Sequence, residues 1–137
     1  MNNNIKAGDD CYYVKHLDIF FTANTYGDLE KAKKIIKLNN KENLKKHLEE
    51  EHLVKILNIR DDEASCYFYK LGMDSHEECS YEYDGYFYLH HFVAKEDIDE
   101  FIDIKLKESE KYHKEHIEYF REYYEWSKMV LEFMGEI

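Results

Sequence analysis

The sequence predicts an α+β domain: a mostly antiparallel sheet of about five strands, two short helices after the first strand, and a long C-terminal helix. Three observations carry this. Runs rich in aromatic and β-branched residues alternate with turn signals between residues 53 and 92. A helical period replaces them between residues 29 and 51. From Lys95 to Met134, no glycine or proline interrupts a helical spacing of apolar residues. The resulting order, β-α-α-β-β-β-β-α, groups most of the strands together, as α+β folds do.

"CYYVKHLDIFF" (11–21) reads as the first strand, followed by the loop "TANTYG". Asp28 is placed to cap "LEKAKKIIKL", where Leu29, Ala32, Ile35 and Ile36 form one stripe. Asn39 and Asn40 end that helix. "KENLKKHLEEEHL" repeats the pattern with Leu44, His47, Leu48 and Glu51 on one side. "LVKILNIR" (53–60) reads as a buried strand, "DDEA" as an acidic turn, and "SCYFYKLG" (65–72) as the neighbouring strand.

The loop "MDSHEE" leads into "SYEYDGYFYLHHF" (80–92), centred on Asp84–Gly85. Asp-Gly suits a type I′ hairpin, in which both central residues take positive φ. Such a turn pairs Tyr83 with Tyr86 and Tyr81 with Tyr88. Directly opposed side chains share a face, so the four rings lie together. Tyr67 and Tyr69 in the preceding strand extend the row to six if the strands align. Glu82, Ser80, Phe87 and Leu89 fall on the other face.

The C-terminal helix, about 95–134, would span about 60 Å if continuous, at ~1.5 Å per residue. Its seam turns polar in the middle, at Lys105, Ser109, His113 and His116. Either the helix breaks near Ser109, or its distal half packs elsewhere, with a second copy of the chain as the simplest candidate. The continuous helix is preferred, which makes a homodimer through it an expectation. At 137 residues and 44% hydrophobic, with no linker and no internal repeat, the chain suits one domain, 1–137.

The formal net charge is −11, and it is concentrated. Residues 61–103 carry thirteen carboxylates against Lys70 and Lys95, whereas the rest of the chain is balanced. Residues 31–46 run the other way, with seven lysines against Glu42. Those lysines lack interleaved aromatics, and the excess acid argues against direct binding of nucleic acid. Cys11, Cys66 and Cys79 are odd in number and widely spaced, which fits free thiols in a reducing compartment. Neither a signal peptide nor a membrane span is expected, and the protein reads as cytoplasmic, without a membrane partner.

No P-loop, GxGxxG, GxSxG or HExxH occurs. Glu110, His113 and His116 share a helix face, but a di-iron site requires a second such segment, so they read as polar residues of an exposed helix. Cys79 and His90, even joined by His76, lack the spacing of a zinc site. No catalytic residue, metal ligand or cofactor is therefore assigned.

What remains is a binding surface. Tyr67, Tyr69, Tyr81, Tyr83, Tyr86 and Tyr88 supply amphipathic rings. Asp61, Asp62, Glu63, Asp74, Glu82 and Asp84 supply charge. The expected function is a small acidic inhibitor of a basic, nucleic-acid-binding partner, with carboxylates and rings imitating a nucleic acid strand. In size and composition the chain resembles two inhibitor classes, phage anti-defence proteins such as anti-CRISPRs and immunity proteins against toxic nucleases. That resemblance implies a nuclease or CRISPR effector as target, in a bacterial or phage-infected cell. It assigns no residue roles. Two further readings are a nucleotide or small-ligand module stacking on the tyrosines and a homodimeric assembly protein built on the long helix.

Overall fold

The computed structural model describes residues 5–15, 17, 29–78, 84–119 and 124–136. The chain divides into two compact units, Met1–His16 with Lys46–Asp99, and Leu17–Lys45 with Glu100–Ile137.

In the first unit the strands are β1 (Asp10–Tyr13), β2 (Leu53–Arg60), β3 (Glu63–Phe68), β4 (Met73–Asp74), β5 (Phe87–Tyr88) and β6 (Phe92–Ala94). They form one sheet in the order β4-β3-β2-β1-β6, with β5 also on β3, and every pairing is antiparallel. The α+β class with an antiparallel sheet is thus the fold. The first strand is shorter than the expected 11–21. Val14 still donates its N–H to the His91 carbonyl at 2.9 Å. Residues 18–28, Asp28 among them, lie outside the described residues.

One sheet face makes the core. Cys11, Val54, Ile56, Ala64, Cys66, Phe92 and Ala94 are buried there, with Tyr13, Phe68 and Phe87 against them. β2 is only half buried, because Lys55, Leu57, Asn58 and Arg60 are exposed. Its apolar spacing also changes, from two (Val54, Ile56) to three (Ile59). A bulge between Ile56 and Asn58 absorbs the extra residue, leaving Leu57 in solvent and returning Ile59 to the core face. The opposite face carries Tyr12, Lys55, Ser65, Tyr67 and Tyr88 by strand alternation. There Tyr12 is 2% exposed and donates its hydroxyl to Glu49 at 3.4 Å.

Burial pushes the Cys11 thiol from 9.0 up to about 12, with Cys66, Asp9 and Asp10 adding to the effect. Burial and Glu49 raise Tyr12 from 10.0 to about 12. In both groups the fold favours the protonated form, so their contribution is complete below the unfolded values and declines as pH rises from about 9 toward 12. Cys11 should therefore resist thiol reagents in the native protein at pH 8 and react on denaturation. Mass-spectrometric labelling checks this, and rapid native labelling of Cys11 would contradict it.

The second unit holds α1 (Leu29–Lys37), most of α2 (Lys41–His47), nearly all of α4 (Ile98–Tyr119) and α5 (Tyr124–Phe133). Asn39 and Asn40 separate α1 from α2 as expected. The Asn40 side chain caps α2 by accepting the Asn43 N–H at 3.1 Å. Ile35, Ile36, Trp126 and Val130 form the apolar core.

The long C-terminal helix is α4, and the 95–134 stretch is not one straight rod. His113 Nδ1 and Ser127 Oγ are 2.8 Å apart, and Lys114 pairs with Glu136 at 3.5 Å. Fourteen residues of uninterrupted helix would separate His113 from Ser127 by about 21 Å, so α5 folds back along α4. Lys105, Ser109 and His113 of the polar seam have partners in the same unit. Ser109 donates to Asn39 Oδ1 at 2.7 Å, and Ser109, His113 and Ser127 are all buried. His113 is therefore not the exposed helix residue its neighbours Glu110 and Lys114 suggest. The seam's polarity needs no second copy to explain it.

Candidate binding site at the β2–β3 turn

β2 and β3 are joined by a two-residue turn, Asp61–Asp62, with Arg60 paired to Glu63. Asp61 has φ 49°, a left-handed conformation that Asp tolerates better than most residues. Both side chains are exposed. Among the described residues neither carboxylate enters an ion pair.

Beside this turn the chain segment 84–88 is tied down at several points. Tyr88 pairs with Glu63 and Phe87 with Ala64. The Leu89 N–H donates to the Asp62 carbonyl at 2.7 Å. Arg60 makes a charged hydrogen bond to Asp84 and a salt bridge to Glu63 at 3.4 Å, while its guanidinium lies 3.8 Å from the Tyr86 ring centroid. Asn58 Nδ2 donates to the Tyr86 hydroxyl at 2.7 Å, and the His76 ring meets Tyr86 edge-on at 5.6 Å.

A further tie comes from Ser75. Ser75 opens α3 (Ser75–Glu78) and is fully buried. Its Oγ accepts the Cys66 N–H at 3.0 Å and donates to the Gly85 carbonyl at 2.5 Å, linking the middle of β3 to the loop. Gly85 has φ +86°, and an added Cβ would sit 2.8 Å from His76 Cα. Only glycine fits that position.

The hydrogen bond from Arg60 holds the Asp84 carboxyl below its usual 3.8, and the Tyr86 N–H adds to this. The stabilisation is present above 3.8 and is lost as pH falls through the lower folded value. Asp84, although exposed, serves as the counter-ion of Arg60, and the carboxylates at this turn without an ion pair among the described residues are Asp61 and Asp62.

The predicted residues separate into groups. Tyr86, Tyr88, Asp61, Asp62, Glu63 and Asp84 meet around the turn. Tyr88 is 51% exposed and stacks on His90 at 5.5 Å and 17°. Tyr67 lies four residues along β3 from Glu63, about 13 Å away at ~3.4 Å per residue. It packs on Tyr69, whose hydroxyl donates to Asp10 Oδ1 at 2.7 Å. Asp74 caps α3 by accepting the Glu77 N–H at 2.9 Å. Tyr81, Tyr83 and Glu82 lie outside the described residues, and so does Cys79.

The hairpin expected around Asp84–Gly85 has its first strand and the turn residue Tyr83 outside the described residues. Gly85 has positive φ. Asp84 Oδ1 accepts the Tyr86 N–H at 3.2 Å, an Asx-type turn, while Arg60 occupies the rest of the carboxylate. Sequence reasoning missed Arg60, Asn58, Ser75 and His76. Arg60 was the legible one: it is one of two arginines and directly precedes "DDE".

Among the described residues, no three His, Cys, Asp or Glu side chains converge on a metal position, and no helix is long and apolar enough to cross a membrane. No family model, curated protein or solved structure matches the chain. The fold and the site define it as an antiparallel α+β protein with a braced acidic turn.

Proposed function

We propose that the protein is a non-enzymatic binding protein that inhibits a basic, nucleic-acid-binding partner. The observation that carries the reading is the Asp61–Asp62 turn: two solvent-facing carboxylates without ion pairs among the described residues, beside Tyr86 and Tyr88 on a segment fixed by Arg60 and Ser75. Four carboxylates surround the single Arg60, so the turn keeps an excess of negative charge. A field of this kind speeds encounter with positive surfaces and repels acidic ones. Bracing lowers the ordering cost of binding. A nuclease or another effector whose own ligand is a nucleic acid strand presents the complementary surface, and carboxylates next to aromatic rings would compete for it.

Affinity purification of the tagged protein at low and high salt tests this, with captured proteins identified by mass spectrometry. The expected partner is basic, binds nucleic acid, and is released as salt shortens the Debye length from about 10 Å to about 3 Å. Capture that is indifferent to salt, or restricted to acidic partners, would sink the reading. The exposed Tyr88–His90 stack favours one alternative, a module that stacks a nucleobase. Stabilisation of the protein by nucleotides in a thermal-shift series would select it.

A further inference from the structure

We propose that His47 and His52 form a two-imidazole site for a divalent late transition metal, Zn2+ being the ion to test. His47 closes α2, and His52 ends the π-helical turn Leu48–His52. On an ordinary α-helix, residues five apart point about 140° away from each other, at 3.6 residues per turn. A π turn accommodates one more residue per turn and brings them onto one side. The two rings are 5.0 Å apart between centroids, and their Nε2 atoms are 3.2 Å apart.

The hydrogen-bond pattern identifies the lone pair. His52 Nδ1 lies 3.0 Å from the Tyr13 carbonyl oxygen. A carbonyl only accepts, so Nδ1 carries the proton and Nε2 of neutral His52 is left as an electron-pair donor. A ring nitrogen bonded to a backbone carbonyl is the outer support that metal-ligating histidines ordinarily have. His47 Nε2 then donates to His52 Nε2 when no ion is present. On binding, His47 takes its other neutral tautomer, with the proton on Nδ1, and both Nε2 lone pairs face one point.

Two Zn–N bonds of ~2.0–2.1 Å at a tetrahedral angle place their nitrogens about 3.3–3.4 Å apart. The observed 3.2 Å is within a few tenths of that, so the rings need almost no movement. Both side chains are half-buried and reachable from solvent. Two protein ligands leave coordination positions for water or for a donor from another molecule, as in open rather than structural zinc sites. Imidazole ligands favour Zn, Cu and Ni over Mg and Ca.

Calorimetric titration of the full chain with ZnCl2, and separately with MgCl2, tests the site. It is run on wild type, His47→Ala, His52→Ala and, as a remote control, His90→Ala. We expect a Zn2+ event in wild type that weakens at least about tenfold in both site variants, the lower end of what losing even an outer partner costs. His90→Ala retains the event and Mg2+ gives none. Absence of zinc binding in wild type would overturn the proposal, as would wild-type affinity in His47→Ala. If circular dichroism finds His52→Ala unfolded, His47→Ala decides alone, because its ring hydrogen-bonds only to His52 among the described residues.

Discussion

Gly85→Ala is expected to destabilise the protein by about 3 kcal/mol, combining a left-handed penalty of ~1–2 kcal/mol with overpacking of ~1–3 kcal/mol. The backbone at +86° excludes a Cβ, and the same Cβ runs into the backbone of His76. Neither obstacle yields easily. His76 is held by α3, and α3 is held by Ser75 bridging Cys66 and Gly85. Relief would require the 84–88 segment to lift from β3, taking Tyr86 off Arg60 and Asp84 off its counter-ion. In a chain of this size that corresponds to a drop in melting temperature on the order of 10 °C. Gly72→Ala separates the two causes. Gly72 has φ +69° but nothing within 4 Å of an added Cβ, so only the left-handed term of about 1–2 kcal/mol remains. Equal melting temperatures for the two variants would show that the close approach to His76 is unimportant.

Reversing the charge of the β2–β3 turn should slow association with the basic partner by about tenfold or more at low salt, the lower part of the range for electrostatic steering. The informative variant is Asp61→Asn combined with Asp62→Lys. Asn tolerates the left-handed conformation at position 61, so the backbone of the turn is kept. Glu63 and Asp84 are left alone, because their carboxylates serve Arg60 and their loss would confuse stability with steering. Dissociation should change less than association, and the difference from wild type should shrink as salt is raised. An association rate equal to wild type at low salt would remove the turn from the binding surface.

The fold class was legible because it rests on local periods. Strand alternation and helical stripes depend on neighbours two to four residues away, and the chain obeys both. The bulge in β2 was missed: 53–60 reads as one buried strand, although the apolar spacing changes from Val54 and Ile56 to Ile59. The candidate site was legible in part. The acidic turn and Tyr86 with Tyr88 were found, whereas Tyr67 and Tyr69 proved to sit farther along β3. The bonding around Asp84–Gly85 was not legible from that dipeptide alone. A carboxylate that can bond the backbone N–H two residues on, and an arginine 24 positions away, has alternatives that the dipeptide does not disclose. Counting charge from residue 61 also left Arg60 one position outside the acidic stretch, so its neutralisation of Asp84 went unseen.

The sequence by itself determined an α+β protein, the separation of its acidic and lysine-rich stretches, and the exposed carboxylates of the β2–β3 turn. Each follows from hydrophobic period or from residue type, which act at short range. Tertiary structure alone decided that α5 turns back so that Ser127 meets His113, and that Ser75 and Arg60 anchor the 84–88 segment. It also set the two imidazole nitrogens of His47 and His52 side by side. The reason is common to these outcomes. A hydrogen bond between side chains distant in sequence forms only after packing has brought them together, and its direction and partners are fixed by that geometry rather than by the chain's local pattern.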